Sequence, residues 1–319
     1  MIDVDKSQIV EEINELKKKH NAVIYAHYYQ RPEIQDIADA VGDSLALARI
    51  AENSDASVIV LCGVHFMAET AAILCPDKIV LCPDPSAGCS LADSCPADKF
   101  KEFIEQHPGH TVISYVNTSA DVKALTDVVV TSSNARQIVE SFPIDEKIIF
   151  GPDRNLGNYI NSVTNRNMVL WDGACHVHEK FSLEKILKLK EQYPDAKILA
   201  HPECRKAIIL VADKVGSTQA LLNYAIESDA NQFIVATESG ILHEMMRLAP
   251  DKQFIPAPPD DVDCACNECS FMKQNTLSNV LQSLRTLSPR VVVDKDIADR
   301  ARIPIERMLE ISSKVGLIK

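Results

Sequence analysis

The sequence has no run of about 18 apolar residues, the length at which a membrane-spanning helix becomes readable, so none of its 319 residues is expected to lie in a bilayer-crossing segment. It also has no basic stripe. Its 33 Lys and Arg are outnumbered by 45 Asp and Glu, for a formal net charge of −12. An acidic chain of this kind is not expected to bind nucleic acid or a membrane surface. The start, Met1-Ile-Asp-Val-Asp-Lys-Ser7, lacks the basic-then-apolar pattern of a secretion signal, so a cytoplasmic protein with reduced thiols is expected. Aromatic residues make up only 5%. The core must come from the Ala, Val, Ile and Leu that dominate the 46% hydrophobic fraction, a composition that suits α/β layers and argues against disorder.

Cysteine is not scarce: there are ten. Cys62, Cys75 and Cys82 sit in or beside apolar strand-like segments and read as small core residues. Three more crowd into Cys264-Ala-Cys266-Asn-Glu-Cys269. In a chain without a secretion signal, such a cluster points to metal or redox chemistry before disulfides. A zinc knuckle would need a fourth ligand close by, and no second Cys-x-x-Cys or His-x-x-x-His completes one. Completing ligands must come from far away, and Cys89 and Cys175 sit in turn-like settings that suit this. Three thiolates on three turns would hold an iron–sulfur cluster and leave one iron without a protein ligand; the competing reading is unrelated turn cysteines. Cys264 and Cys266 are surplus to such a site, and with one residue between them they are a poor disulfide pair.

The chain makes three passes of one type. Each opens on an apolar strand ending in polar residues: Ala22 to His27 and Tyr29, Thr111 to Tyr115 and Asn117, Lys197 to His201 and Glu203. Each contains a Ser/Thr-rich helix start, at Asp43-Ser44, Ser132-Ser133 and Ser217-Thr218, whose free N–H groups favour phosphate or carboxylate. Each ends in a cysteine: Cys89, Cys175 and Cys269, spaced 86 and 94 residues apart. Further strands are read at Ser57–Cys62, Lys78–Cys82, Val128–Thr131, Lys147–Phe150, Met168–Trp171, Phe233–Thr237 and Gln253–Pro256. Helices are read at 7–20, Ile34–Val41, Phe66–Leu74, Ala135–Phe142, 182–193 and Ile241–Leu248, with a tail pair near 276–287 and 304–312. The repetition is one of residue roles, not of identical sequence. Alternating strands and helices imply parallel sheets with ligands at the strands' carboxyl ends. We therefore expect three αβα units, at about 1–105, 106–180 and 181–275, with a helical segment at 276–319. Their strand ends should converge on one central site. A lone histidine at a strand end is more often structural; His, Tyr and Glu at three equivalent ends are candidate proton carriers.

Taken together the motifs resemble the quinolinate synthase family. They run in order as Ala26-His-Tyr-Tyr-Gln30, Gly42-Asp-Ser44, Ala87-Gly-Cys89-Ser-Leu-Ala-Asp93, Tyr115-Val-Asn-Thr-Ser119 and Thr131-Ser-Ser-Asn-Ala135. They continue as Gly151-Pro-Asp-Arg-Asn-Leu-Gly157, His201-Pro-Glu-Cys204, Gly216-Ser-Thr218, Thr237-Glu238 and Cys269-x-x-Met272-x-x-Asn275. Each is weak alone; the ordered set covers nearly the whole chain. The resemblance implies three αβα domains about a pseudo-threefold axis around a 4Fe–4S cluster with three cysteine ligands and one open iron. It implies condensation of iminoaspartate with dihydroxyacetone phosphate to quinolinate, with release of phosphate and two waters, in de novo NAD synthesis. It further implies a functional link to an iminoaspartate-producing aspartate oxidase or dehydrogenase. Cys89, Cys175 and Cys269 match the cluster ligands, Cys269 being chosen over its neighbours by the Met and Asn that follow it. Tyr29 and Glu203 match proton-transfer positions, with Tyr115 as a further catalytic candidate. His27, Ser44, Tyr115, Asn117, Ser132, His201, Glu203 and Thr218 match substrate-binding positions. Ser270 departs from the proline many members carry there. The alternatives are another 4Fe–4S hydro-lyase of a small hydroxy acid and a cluster-based redox or iron sensor, the latter disfavoured by the absence of a basic helix.

Overall fold

The computed structural model describes residues 6–260 and 268–318; Cys264 and Cys266 therefore lie outside the described residues. Twelve strands form three four-stranded sheets, all parallel. The first holds β1 (Ala22–His27), β2 (Ala40–Gly42), β3 (Val58–Cys62) and β4 (Ile79–Leu81). The second holds β5 (Thr111–Tyr115), β6 (Val128–Val130), β7 (Ile148–Gly151) and β8 (Val169–Leu170). The third holds β9 (Lys197–Ala200), β10 (Lys214–Val215), β11 (Gln232–Ala236) and β12 (Gln253–Pro256). Their orders are β2-β1-β3-β4, β6-β5-β7-β8 and β10-β9-β11-β12, so one topology is used three times, as the three passes imply.

The strands β3, β6 and β7 are short apolar runs rich in Val and Ile, buried throughout, which is what a parallel sheet covered by helices requires. In the first sheet, Tyr25, Ile59, Leu61 and Val80 face one core cluster, while Ile24, Ala26, Val58 and Val60 face another. Cys62, Cys75 and Cys82 are buried within these layers, with the Cys75 thiol donating to the Ala51 carbonyl.

The helix expected over Ile34–Val41 is only partly present. The helix spans Pro32–Gln35, and Ala40–Gly42 is the edge strand β2. Edge strands β2 and β10, three and two residues long, carry too few residues for a period-2 pattern to show. What ends the preceding turn each time is an aspartate. Asp39, Asp127 and Asp213 accept the N–H of Ile24, Val112 and Ile198 at 2.7, 2.8 and 2.8 Å, each from a partner 15 residues away. The helix start at Ser132-Ser133 is also shifted. Asn134 is the N-cap of Ala135–Glu140, and its side chain accepts from Thr131 N–H at 2.6 Å rather than capping the helix.

The tail helices serve as layers of the earlier repeats. Helix Leu277–Thr286 buries Leu277, Val280, Leu281 and Leu284 in the cluster of β1 and β3. Helix Lys295–Lys314 buries Ala301, Ile305, Met308 and Leu309 in the cluster that contains β6. It is tied there by Asn134 Nδ2 donating to Ser312 Oγ at 2.9 Å and by Arg302 donating to the Ile73 and Leu74 carbonyls at 2.5 and 3.1 Å.

Candidate active site

Parallel sheets present their carboxyl-terminal strand ends to ligands, and here the ends of all three sheets line one cavity. The cavity is small, about 70 Å³, below the ~300–1,000 Å³ usual for small-molecule sites. Each repeat supplies four of the residues singled out from sequence: His27, Tyr29, Ser44 and Cys89; Tyr115, Asn117, Ser132 and Cys175; His201, Glu203, Thr218 and Cys269. No residue of that set lies elsewhere.

Two of the repeats build the same device. His27 ends β1, and its Nδ1 accepts the Tyr29 N–H at 3.1 Å. His201 follows β9, and its Nδ1 accepts the Glu203 N–H at 3.3 Å. A ring nitrogen that accepts a backbone N–H leaves the proton on the other, so each Nε2–H is a donor. Both rings are buried. Burial pushes both down to about 3, with Lys273 lowering His27 further and Glu203 pulling each partly back. They are neutral donors at neutral pH. In the second repeat a tyrosine, Tyr115, stands at the strand end.

Glu203 is the centre of the polar network. Tyr115 Oη donates to its Oε1 at 2.5 Å, and His178 Nδ1 lies 3.2 Å from its Oε2. Burial alone would raise this carboxyl, but His178, His201 and the Tyr115 hydroxyl outweigh it and hold Glu203 low, at about 2. Burial drives both Tyr115 and Tyr29 well above the usual phenol range, and the Glu203 charge adds to this at each. Both hydroxyls are therefore protonated. Tyr29 Oη sits 2.7 Å from Thr218 Oγ1 and 2.8 Å from Thr237 Oγ1.

His178 links these groups and was missed by sequence reading. Its Nε2 is 3.0 Å from Thr237 Oγ1 and its Nδ1 3.3 Å from Cys175 Sγ. Cys175, His178 and Glu203 thus form a group whose ligand atoms lie within 4.8 Å of one another. Its signal was a histidine three residues beyond a turn cysteine, on the same helical turn His176–Glu179. Glu238 and Asp43 also line the cavity.

The helix starts differ in charge. Ser44 opens helix Ser44–Glu52 behind an Asp43 cap that accepts Ala46 N–H at 3.0 Å and Ser133 Oγ–H at 2.6 Å. Thr218 opens helix Thr218–Glu227 behind a Ser217 cap that accepts Ala220 N–H at 3.3 Å. A carboxylate cap offsets the positive helix end and a hydroxyl cap does not.

The three cysteines are half-buried and free of disulfides, with Phe66, Met67, Phe271 and Met272 lining the same cavity. The turns that carry them touch: Ser90 Oγ is 2.6 Å from His176 Nδ1, and the His176 ring meets the edge of Phe271 with centroids 5.9 Å apart. Burial raises all three thiols, Cys89 to about 12. They are protonated unless a cation replaces the protons, as thiolate metal ligation does.

The family model described as Quinolinate synthetase A protein matches residues 11–310. Among curated proteins, the quinolinate synthase of Thermosynechococcus vestitus is 56% identical over 304 residues, 95% of each chain. That of Chloroherpeton thalassium is 53% identical over 311 residues, 98% of this chain and 97% of the relative. That of Synechocystis sp. is 56% identical over 304 residues, 95% of each.

Proposed function

The chain belongs to the quinolinate synthetase A family and is an enzyme that makes quinolinate for NAD biosynthesis, and on that premise we propose how its cavity does so. The substrates are iminoaspartate and dihydroxyacetone phosphate. Their condensation yields quinolinate, phosphate and two waters. Cys89, Cys175 and Cys269 hold a 4Fe–4S cluster with one iron open to ligands. The donor set fits it: three thiols from three touching turns, in an apolar shell, beside a cavity. When bound, the cluster supplies a Lewis acid for the departure of a hydroxyl group.

The protein's own groups bind and move protons. Both substrates are anionic in a chain of net charge −12, so attraction must be local. It comes from the Nε2–H of His27 and His201 and from the helix end at Thr218, with Ser44, Asn117 and Ser132 completing the polar lining. The Thr218 end, capped by a hydroxyl, suits the more highly charged phosphate. Glu203, at the centre of the polar network and on the cavity wall, is the group placed to take a proton from carbon or nitrogen during enolisation and imine formation. Tyr115 donates to it and fixes its orientation. Tyr29, kept protonated by burial, serves as an acid. His178 and Thr237 join Glu203 to Tyr29 through contacts of 3.2, 3.0 and 2.8 Å.

We take residues 1–105, 106–180 and 181–275 as three units about a pseudo-threefold axis, with 276–319 as a helical segment. The protein is placed in the cytoplasm and supplied by an iminoaspartate-releasing aspartate oxidase or dehydrogenase. Among the described residues no helix is long and apolar enough to cross a membrane.

The observation that carries this reading is the convergence of four residues from each repeat on one cavity. The test is quinolinate formation by anaerobically purified protein of measured iron and sulfide content, given dihydroxyacetone phosphate and freshly generated iminoaspartate. Product that scales with cluster content is expected. No product from protein with a full cluster would refute the substrate assignment.

A further inference from the structure

Two of the three cysteine turns hang from a buried carboxylate, and among the described residues the third does not. Asp153 is fully buried, two residues past the end of β7. Its Oδ2 accepts the Cys175 N–H at 3.0 Å and its Oδ1 the Leu156 N–H at 2.7 Å. Glu238 is fully buried, two residues past the end of β11. Its Oε1 accepts the Cys269 N–H at 3.0 Å and its Oε2 the Gly240 N–H at 2.7 Å. Lys273 Nζ meets the same Oε1 at 2.9 Å and donates to the Tyr29 carbonyl at 2.7 Å, so this anchor also reaches the first repeat.

The strands β3, β7 and β11 hold the same place in their sheets. Two residues past β3 stands Val64, and no carboxylate holds the Cys89 N–H among the described residues. Burying a carboxylate is expensive unless its oxygens are used. A hydroxyl suffices to cap a helix, as Ser217 does. What the carboxylates add is a second oxygen, and in each case one oxygen is spent on a cysteine amide.

We propose that Asp153 and Glu238 are positioning residues that fix the Cys175 and Cys269 backbones from equivalent strand ends. They hold two corners of the metal site in place and leave the Cys89 corner to be set by packing. This rests on those cysteines being cluster ligands, and the experiment separates the two claims.

Asp153→Asn and Glu238→Gln keep the side-chain shape but turn one oxygen into a donor facing an N–H. Reconstituted anaerobically, both are expected to keep the wild-type far-ultraviolet circular dichroism and to lose iron to a ferrous chelator about tenfold faster than wild type, the loss of one buried hydrogen bond. Asp213→Asn weakens the same kind of carboxylate–backbone bond in the third sheet and should release iron at the wild-type rate. Wild-type release in both variants, or equal acceleration in Asp213→Asn, overturns the proposal. Full iron retention in Cys175→Ser and Cys269→Ser would instead show that the ligand assignment has failed. Should the carboxylate variants not fold, hydrogen exchange in the wild-type holoprotein decides. Slower exchange at the Cys175 and Cys269 amides than at Cys89 is expected, and equal rates overturn the proposal.

Discussion

Lys123 is fully buried, and it is the only lysine so buried among the described residues. Its ammonium donates to the Val116 carbonyl at 2.9 Å and to the Thr118 carbonyl, and lies 5.3 Å from the centre of the Phe66 ring. Burial pushes it down to about 8 from 10.5, with Glu69 and Cys89 pulling it partly back. The drop of about 2.5 units corresponds to ~3 kcal/mol of folding free energy, at about 1.4 kcal/mol per unit. The sign follows from proton counts. Above 10.5 the group is neutral in folded and unfolded chains alike. Below 8 it is charged in both, and the folded state carries the full cost of burying that charge. Between 8 and 10.5 the unfolded chain holds a proton that the folded protein does not, so stability rises with pH across that window. Lys123→Met removes the titration while nearly keeping the volume. Denaturant unfolding of wild type and variant, followed in parallel from pH 7.5 to 10.5 under anaerobic conditions, isolates it, because every other titrating group cancels in the difference. The wild type should gain ~3 kcal/mol relative to the variant over the window. A difference that stays flat, or runs the other way, would refute the reasoning.

Replacing Cys89, Cys175 or Cys269 singly by serine should abolish iron binding and quinolinate formation, whereas Cys204→Ser, at a buried thiol bonded to the Ala236 carbonyl, should leave the iron-to-protein ratio unchanged. Glu203→Gln should keep its iron and lose about 100-fold or more in kcat, the usual worth of a positioned base; near-normal turnover would remove it from that role. Thr237→Val breaks the link between Tyr29 and His178 and should lower kcat about tenfold with little change in KM, measured by steady-state kinetics. In Gly240→Ala, a Cβ would stand 2.7 Å from the Tyr29 backbone carbonyl carbon and 2.8 Å from Glu238 Oε2. A loss of about 1–3 kcal/mol in denaturant unfolding is expected, and unchanged stability would mean the two segments are not packed as described.

What sequence determined here is what depends on local pattern. The β-branched runs at Val58–Cys62, Val128–Val130 and Gln232–Ala236 announce buried parallel strands because their burial on both faces demands unbroken apolar residues. His27, Tyr115 and His201 could be read as site residues because each breaks such a run at its carboxyl end, and the spacing of Cys89, Cys175 and Cys269 showed the same design made three times. What the tertiary structure alone decided depends on partners far apart in the chain. Edge strands β2 and β10 exist because β1 and β9 are there to pair with them, not because two or three residues carry a pattern. The aspartates Asp39, Asp127 and Asp213 look like ordinary turn residues until each is seen holding a strand N–H 15 residues back. The tail is legible as two helices without site residues, yet only the fold shows that Leu284 and Met308 close the cores of repeats far upstream. Asp153 and Glu238 stand inside motifs but nothing local shows what they hold, and Lys123 and His178 are as quiet, since a buried charge is defined by what surrounds it. Their carboxylates, amine and ring are tolerable only where backbone amides, carbonyls and one another's charges take the place of water, and that environment is assembled only when the three sheets meet.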